Sequence, residues 1–199
     1  MNLYQYNIDG TLIHEFESDR YPPGVARREY SAACERGGIE ALAVTRDGEH
    51  IIGGTHLGLV EVWSVATRSL VSLCGHPRVK SAWNPTLAVA AMPDDQRILD
   101  GGRDGDVRMW LLDGTHLNAF ELHTDEVLAL VALPDNQHAL SSSADTTVKL
   151  FNANEGTVLR TFKHHTSVVY SLALLPDGLR FVSAADDGPA RIIEHGLAP

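Results

Sequence analysis

The sequence predicts an all-β chain of four-stranded antiparallel blades, arranged as a β-propeller that is incomplete as a single chain. Three observations predict it. One pattern of turn and strand recurs four times: its turn aspartates Asp47, Asp94, Asp135 and Asp177 stand 47, 41 and 42 residues apart, and the apolar positions Trp63, Trp110, Phe151 and Ile193 repeat the same intervals. Short runs of Val, Leu, Ile and Ala alternate with turn dipeptides such as Asp47-Gly48, Asp113-Gly114 and Asp177-Gly178, which reads as strands joined by hairpins. No segment keeps a 3.6-residue apolar period over twelve or more residues. Four short strands in each unit of 41–47 residues is the period of a propeller blade.

The elements follow in order. Residues 1–16 form a half blade, because Tyr6-Asn7-Ile8-Asp9-Gly10-Thr11-Leu12 aligns with Trp110-Leu111-Leu112-Asp113-Gly114-Thr115-His116, and Phe16 with Phe120. Residues 17–36 are an inserted loop. Repeat 1 spans 37–73, repeat 2 spans 74–120, repeat 3 spans 121–162, and repeat 4, incomplete, spans 163–199. Each full unit holds strands a, b, c and d, with d expected on the outside of the next blade. The sum is 17 strands, a little over four blades, where propellers use four to eight. Three readings of that count stay open: part of a larger propeller, completion by a second copy or another propeller half, or a small ring closed by one chain.

The repeats resemble the WD-repeat family over nearly the whole chain. A family blade carries Gly-His near its start, Pro-Asp-Gly after its first strand, Ser-x-Ser-x-Asp at the second-strand turn and Trp-Asp after the third. Here Gly75-His76 matches the first feature, and His123 and His165 sit at the same place. Asp104, Asp145 and Asp187 match the turn aspartate, Ser141 and Ser183 the serine, and Trp63 and Trp110 the tryptophan, with Phe151 and Ile193 as apolar replacements. The chain departs from the pattern where no Asp follows either tryptophan, and in repeat 1, where Leu57 replaces the turn aspartate and Glu35 the histidine. The resemblance implies a structural network drawn from His76, Asp104, Trp110, His123, Ser141, Asp145, His165, Ser183 and Asp187. It implies hydrogen-bonded chains His123–Ser141–Asp145 and His165–Ser183–Asp187, each lacking the indole N–H of a tryptophan.

Composition bounds the function. The 26 acidic and 16 basic side chains give a formal charge of −10, so the phosphate backbone of nucleic acid is a poor default partner. No apolar run reaches the roughly 20 residues that span a bilayer, and the N-terminus lacks the basic and apolar regions of a signal peptide. No membrane partner is therefore expected, and the cytoplasm, with the nucleus open, is the expected location. Cys34 and Cys74 read as reduced thiols. The ten histidines show no metal-ligand spacing, and no nucleophile elbow, P-loop or dinucleotide fingerprint is present. The expectation is no enzyme, no cofactor and no metal. Asp100 beside Asp104 reads as a partly solvated pair neutralised by Arg103 or Arg108.

The expected function is a scaffold or adaptor that recruits other proteins or peptides into a complex. Alternatives are a fragment of a larger WD-repeat protein, such as a ubiquitin-ligase substrate receptor or ubiquitin-binding adaptor, and a propeller enzyme using the central funnel. The repeats differ mainly by two insertions, both between strand d of one blade and strand a of the next, which puts them on one face. They carry Tyr21, Arg27, Arg78, Lys80 and Trp83, residue types that dominate binding hot spots. Those five, with Tyr170, are the candidate partner-binding residues; Glu40 and Leu128 are secondary candidates, and Leu128 and Tyr170 read equally well as core.

Overall fold

The structure, a computed structural model, describes residues 3–6, 12–16, 38–75 and 84–197. Among them are seventeen strands and no helix. Strands β1 (Leu3–Tyr6) and β2 (Leu12–Phe16) form a hairpin. Blade 1 is β3 (Ile39–Val44), β4 (His50–Thr55), β5 (Leu59–Ser64) and β6 (Ser69–Gly75). Blade 2 is β7 (Thr86–Ala91), β8 (Arg97–Gly102), β9 (Asp106–Leu111) and β10 (His116–Glu121). Blade 3 is β11 (Val127–Ala132), β12 (His138–Ser143), β13 (Val148–Asn152) and β14 (Val158–Phe162). Blade 4 has three strands, β15 (Val169–Leu174), β16 (Arg180–Ala185) and β17 (Arg191–Glu194).

Every sheet is a meander in sequence order, with all pairs antiparallel. This corrects the expected place of strand d. Strands β6, β10 and β14 pair with β5, β9 and β13 of their own blade rather than lying on the next. The reason is local: a c–d turn of a few residues closes a hairpin, and a hairpin returns the chain to the strand it has just left.

Two irregularities recur at fixed places. The register shifts near the start of each innermost strand, at Ile39/Ala41, Thr86/Ala88, Val127/Ala129 and Val169/Ser171. It shifts again in the c–d hairpins, at Val62/Trp63, His116/Asn118 and Leu150/Phe151, and the β1–β2 hairpin does the same at Gln5/Tyr6. A bulge adds local twist, so each blade is twisted at the same two heights. The a–b turns also agree. Gly48, Asp95, Asn136 and Gly178 occupy one turn position with φ of 73°, 54°, 59° and 68°. Asp and Asn tolerate that left-handed conformation better than other residues with side chains. They also use it: Asp95 accepts from the Arg46 backbone N–H, while Asn136 and Asp94 exchange two hydrogen bonds of 3.2 Å, so each turn is tied to the blade before it.

The core lies between blades. Ile52, Val60, Val62 and Cys74 of blade 1 pack on Val89, Ile98 and Trp110 of blade 2. Met109 and Phe120 pack on Leu130 and Phe151 at the next junction, and Leu140, Leu150 and Phe162 on Val169 and Phe181 at the third. The blades approach closely enough that a Cβ on Gly101 would lie 2.5 Å from Val127 Cγ1, and one on Gly54 2.7 Å from Thr86 Cγ2. Neighbouring blades touch through their inner strands, β3 and β4 against β7, β7 and β8 against β11, β11 and β12 against β15. No comparable contact joins blade 4 to blade 1 among the described residues. The described blades therefore form an open arc.

Candidate functional site: the blade networks and the rim

Because strands alternate in direction, the b–c turns and the d–a connections share one rim of the arc, and the a–b and c–d turns share the other. The networks built on the turn aspartates Asp104, Asp145 and Asp187 lie on the first rim. In blade 3, His123 is buried beside Asp145, with Nδ1 at 2.8 Å from the carboxylate and Nε2 at 2.8 Å from Ser141 Oγ. Burial pushes the His123 pKa down against the pull of Asp145, so the ring is neutral at pH 7. A neutral ring has one donor and one acceptor. Nδ1–H therefore donates to Asp145, and Nε2 accepts from the Ser141 hydroxyl. Burial acts to raise the Asp145 pKa, but hydrogen bonds from Thr147 and His123, with the attraction of His123, leave it below the usual carboxylate range.

Blade 4 repeats the arrangement. His165 Nδ1 is 2.9 Å from Asp187 and Nε2 is 2.7 Å from Ser183 Oγ. The hydrogen bond from His165, joined by the Thr166 N–H and Arg191, holds the Asp187 carboxyl far below its ordinary range. Phe151 and Ile193 stand where an indole would extend each chain, so each ends at its serine.

Blade 2 solves the same problem with other residues. Asp104 is held by the Asn84 amide at 2.8 Å and by the Arg108 guanidinium. Asn84 returns an acceptor to the Asp104 N–H at 3.0 Å. Asp100 occupies the serine position, is 4% exposed, and accepts from the Trp110 indole N–H. Burial raises its pKa to about 6 against Arg108 and Trp110. The sequence reading of Asp100 as partly solvated is thus overturned: the alternation of β8 points it into the junction between blades 1 and 2. Arg108 is the arginine that neutralises it, at 3.9 Å, whereas Arg103 pairs with Glu126 at 2.9 Å. Asn84, Asp100, Arg108 and Trp110 line a narrow pocket at that junction. Within it Arg108 Nε has no partner among the described residues.

Asn84 was missed in the sequence. Asn84 lies 20 residues before its aspartate, where the histidines lie 22 before theirs, so a search for the family histidine passes over it. Arg108 was legible. Glu61, Arg108, Lys149 and Arg191 each stand two residues before the closing apolar position, and a basic residue there falls within reach of the turn aspartate in blades 2 and 4. In blade 1 the column holds Glu61, whose pKa burial raises to about 7, and Gly53 stands where Asp100 does. Trp63 accordingly keeps a buried indole N–H without a partner among the described residues.

Three exposed or half-buried pairs run along the same rim: Glu40 with His56 at 2.8 Å, Arg103 with Glu126 at 2.9 Å, and the Tyr170 hydroxyl donating to Asp186 at 3.1 Å. Tyr170 is 51% exposed, so it belongs to this surface rather than to the core; Leu128 is half-buried. Tyr21, Arg27, His76, Arg78, Lys80 and Trp83, with both insertions, lie outside the described residues. Among the described residues no cluster of three or more His, Cys, Asp or Glu could hold a metal ion.

Comparison with known proteins agrees with this geometry. The family described as "WD domain, G-beta repeat" matches residues 114–152 and 156–188, the segments that carry blade 3 and most of blade 4. Residues 114–188 carry two repeats of this family. It is also similar to "Protein ROOT INITIATION DEFECTIVE 3" of Arabidopsis thaliana, with 32% identity over 75 residues, which is 37% of this chain and 16% of that protein. WD repeats in general form platforms for protein interaction and are generally not enzymes.

Proposed function

We propose that this WD-repeat chain is a scaffold or adaptor that holds partner proteins or peptides on the rim formed by its d–a connections and b–c turns. One observation carries the reading: the pairs Glu40 with His56, Arg103 with Glu126 and Tyr170 with Asp186, which differ from blade to blade, all stand on that rim, and in blades 2 to 4 buried networks fix the strands beneath it. Loops and turns on a rigid scaffold are where recognition is most often placed. In the sequence the two insertions fall between a strand d and the next strand a, and they supply Tyr21, Arg27, Arg78, Lys80 and Trp83. The acidic balance favours protein over nucleic acid as the bound class.

The test compares captured partners. Alanine at Tyr21, Arg27, Arg78, Lys80, Trp83 and Tyr170 together is expected to abolish capture from cell extract. Alanine at Glu49 and Glu155, both exposed on the opposite rim, is expected to leave it intact. If the sixfold variant retained the same partners at the same yield, the assignment of the rim would be wrong.

A further inference from the structure

The two ends of the arc carry the two halves of one junction. At each interior junction a residue of strand c faces forward and a residue of strand a faces back to meet it. The forward column is Val62, Met109 and Leu150, exposed by 0%, 3% and 1%. The backward column is Val89 and Leu130, each 8% exposed, and Leu172, packed against the cluster of the last junction. Among the described side chains each column has one further member. Ile192 of β17 continues the forward column and is 63% exposed; Leu42 of β3 continues the backward column and is 55% exposed. Val44, one turn of the pleat beyond Leu42, is 57% exposed, while its counterparts Ala91, Ala132 and Leu174 all pack against the neighbouring blade.

We propose that these faces bind each other between copies, so that the forward face of blade 4 around Ile192 seats the backward face of blade 1, Leu42 and Val44, of a second copy. The surface that fits a forward blade face is known from three junctions of this chain: it is the backward face of another blade. A second copy offers that surface without any change of fold. The contact is heterologous, since it joins two different patches.

The experiment uses the full 199-residue chain, with light scattering across a range of concentrations. The mass is expected to rise above the monomer with concentration. Leu42→Asp and Ile192→Asp, each at a site more than half exposed, are each expected to hold the chain at monomer mass with an unchanged far-UV circular dichroism spectrum. Val44→Asp serves in place of Leu42→Asp if that variant does not fold. The deciding arm mixes the two variants. Ile192→Asp keeps the blade 1 face and Leu42→Asp keeps the blade 4 face, so an equimolar mixture has one intact junction and forms a one-to-one dimer and nothing larger. A wild-type chain that stays monomeric throughout would overturn the proposal. So would a mixture that stays monomeric, association that survives both substitutions, or self-association of Leu42→Asp alone, which would mean that blade 4 faces pair with each other.

Discussion

Ser141 and Ser142 are neighbours on β12, both fully buried, and the structure gives them opposite energetic signs. The Ser141 hydroxyl lies 2.8 Å from His123 Nε2, within a site where the His123 side chain is 0% exposed. Ser141→Ala removes that bond and leaves a buried ring nitrogen that water cannot reach. Leaving a buried polar group unpaired costs about 1–3 kcal/mol. The Ser142 hydroxyl has no partner among the described residues. Ser142→Ala deletes the same atom and relieves an existing desolvation cost, so its effect should be neutral or stabilising by up to about 1 kcal/mol. The assay is urea unfolding followed by far-UV circular dichroism, with ΔG from linear extrapolation and m compared between variants. A domain of this size shifts its Tm by about 2–4 °C per kcal/mol, so thermal melts resolve the pair as well. The decisive quantity is the difference between the two alanines, because both lose equal volume in the same strand. Equal destabilisation by the two variants would refute the claim that the histidine network, rather than packing, is what Ser141 contributes.

Two further predictions concern blade 2 and its junction with blade 3. Asp100, with its pKa raised to about 6 in the fold, binds a proton more tightly folded than unfolded between about pH 4 and 6. Its contribution to stability therefore falls as pH rises through that window and is flat above it, by at most about 3 kcal/mol. Asp100→Asn should remove this term, so the stability difference between wild type and variant should move against the wild type from pH 4 to 7; a flat difference or the opposite slope would count against burial of Asp100. Asp145 and Asp187, held low, have the opposite sign in both proteins: their stabilisation is present at neutral pH and is lost as pH falls. Gly156 has φ of +74° and stands over Phe120, where a Cβ would lie 2.1 Å from the ring. Gly156→Ala should cost about 2–4 kcal/mol by equilibrium unfolding, and a cost under about 1 kcal/mol would show that the β10 ring moves freely.

Much of the architecture was legible because it is local. Turn aspartates followed by Gly, Asp or Asn, together with the apolar alternation, set the strands and their spacing, since strand period and turn chemistry act over a few residues. The pairings of His123 with Ser141 and Asp145, and of His165 with Ser183 and Asp187, were legible through family resemblance, because two blades keep the residue types at the same intervals. Blade 2 was not: there Asn84 replaces a histidine from a different position along the chain, and only the fold shows that it reaches Asp104.

The sequence by itself determined the period, the turns, the strand content and the columns of equivalent residues. The tertiary structure alone decided what each column meets. Asp100 is buried because blade 1 packs across it, and Leu42 and Ile192 are exposed because, among the described residues, no blade does so for them. Strand spacing is written within a hairpin, whereas burial depends on a neighbour some forty residues away in the chain, and among the described residues that neighbour is present at three junctions.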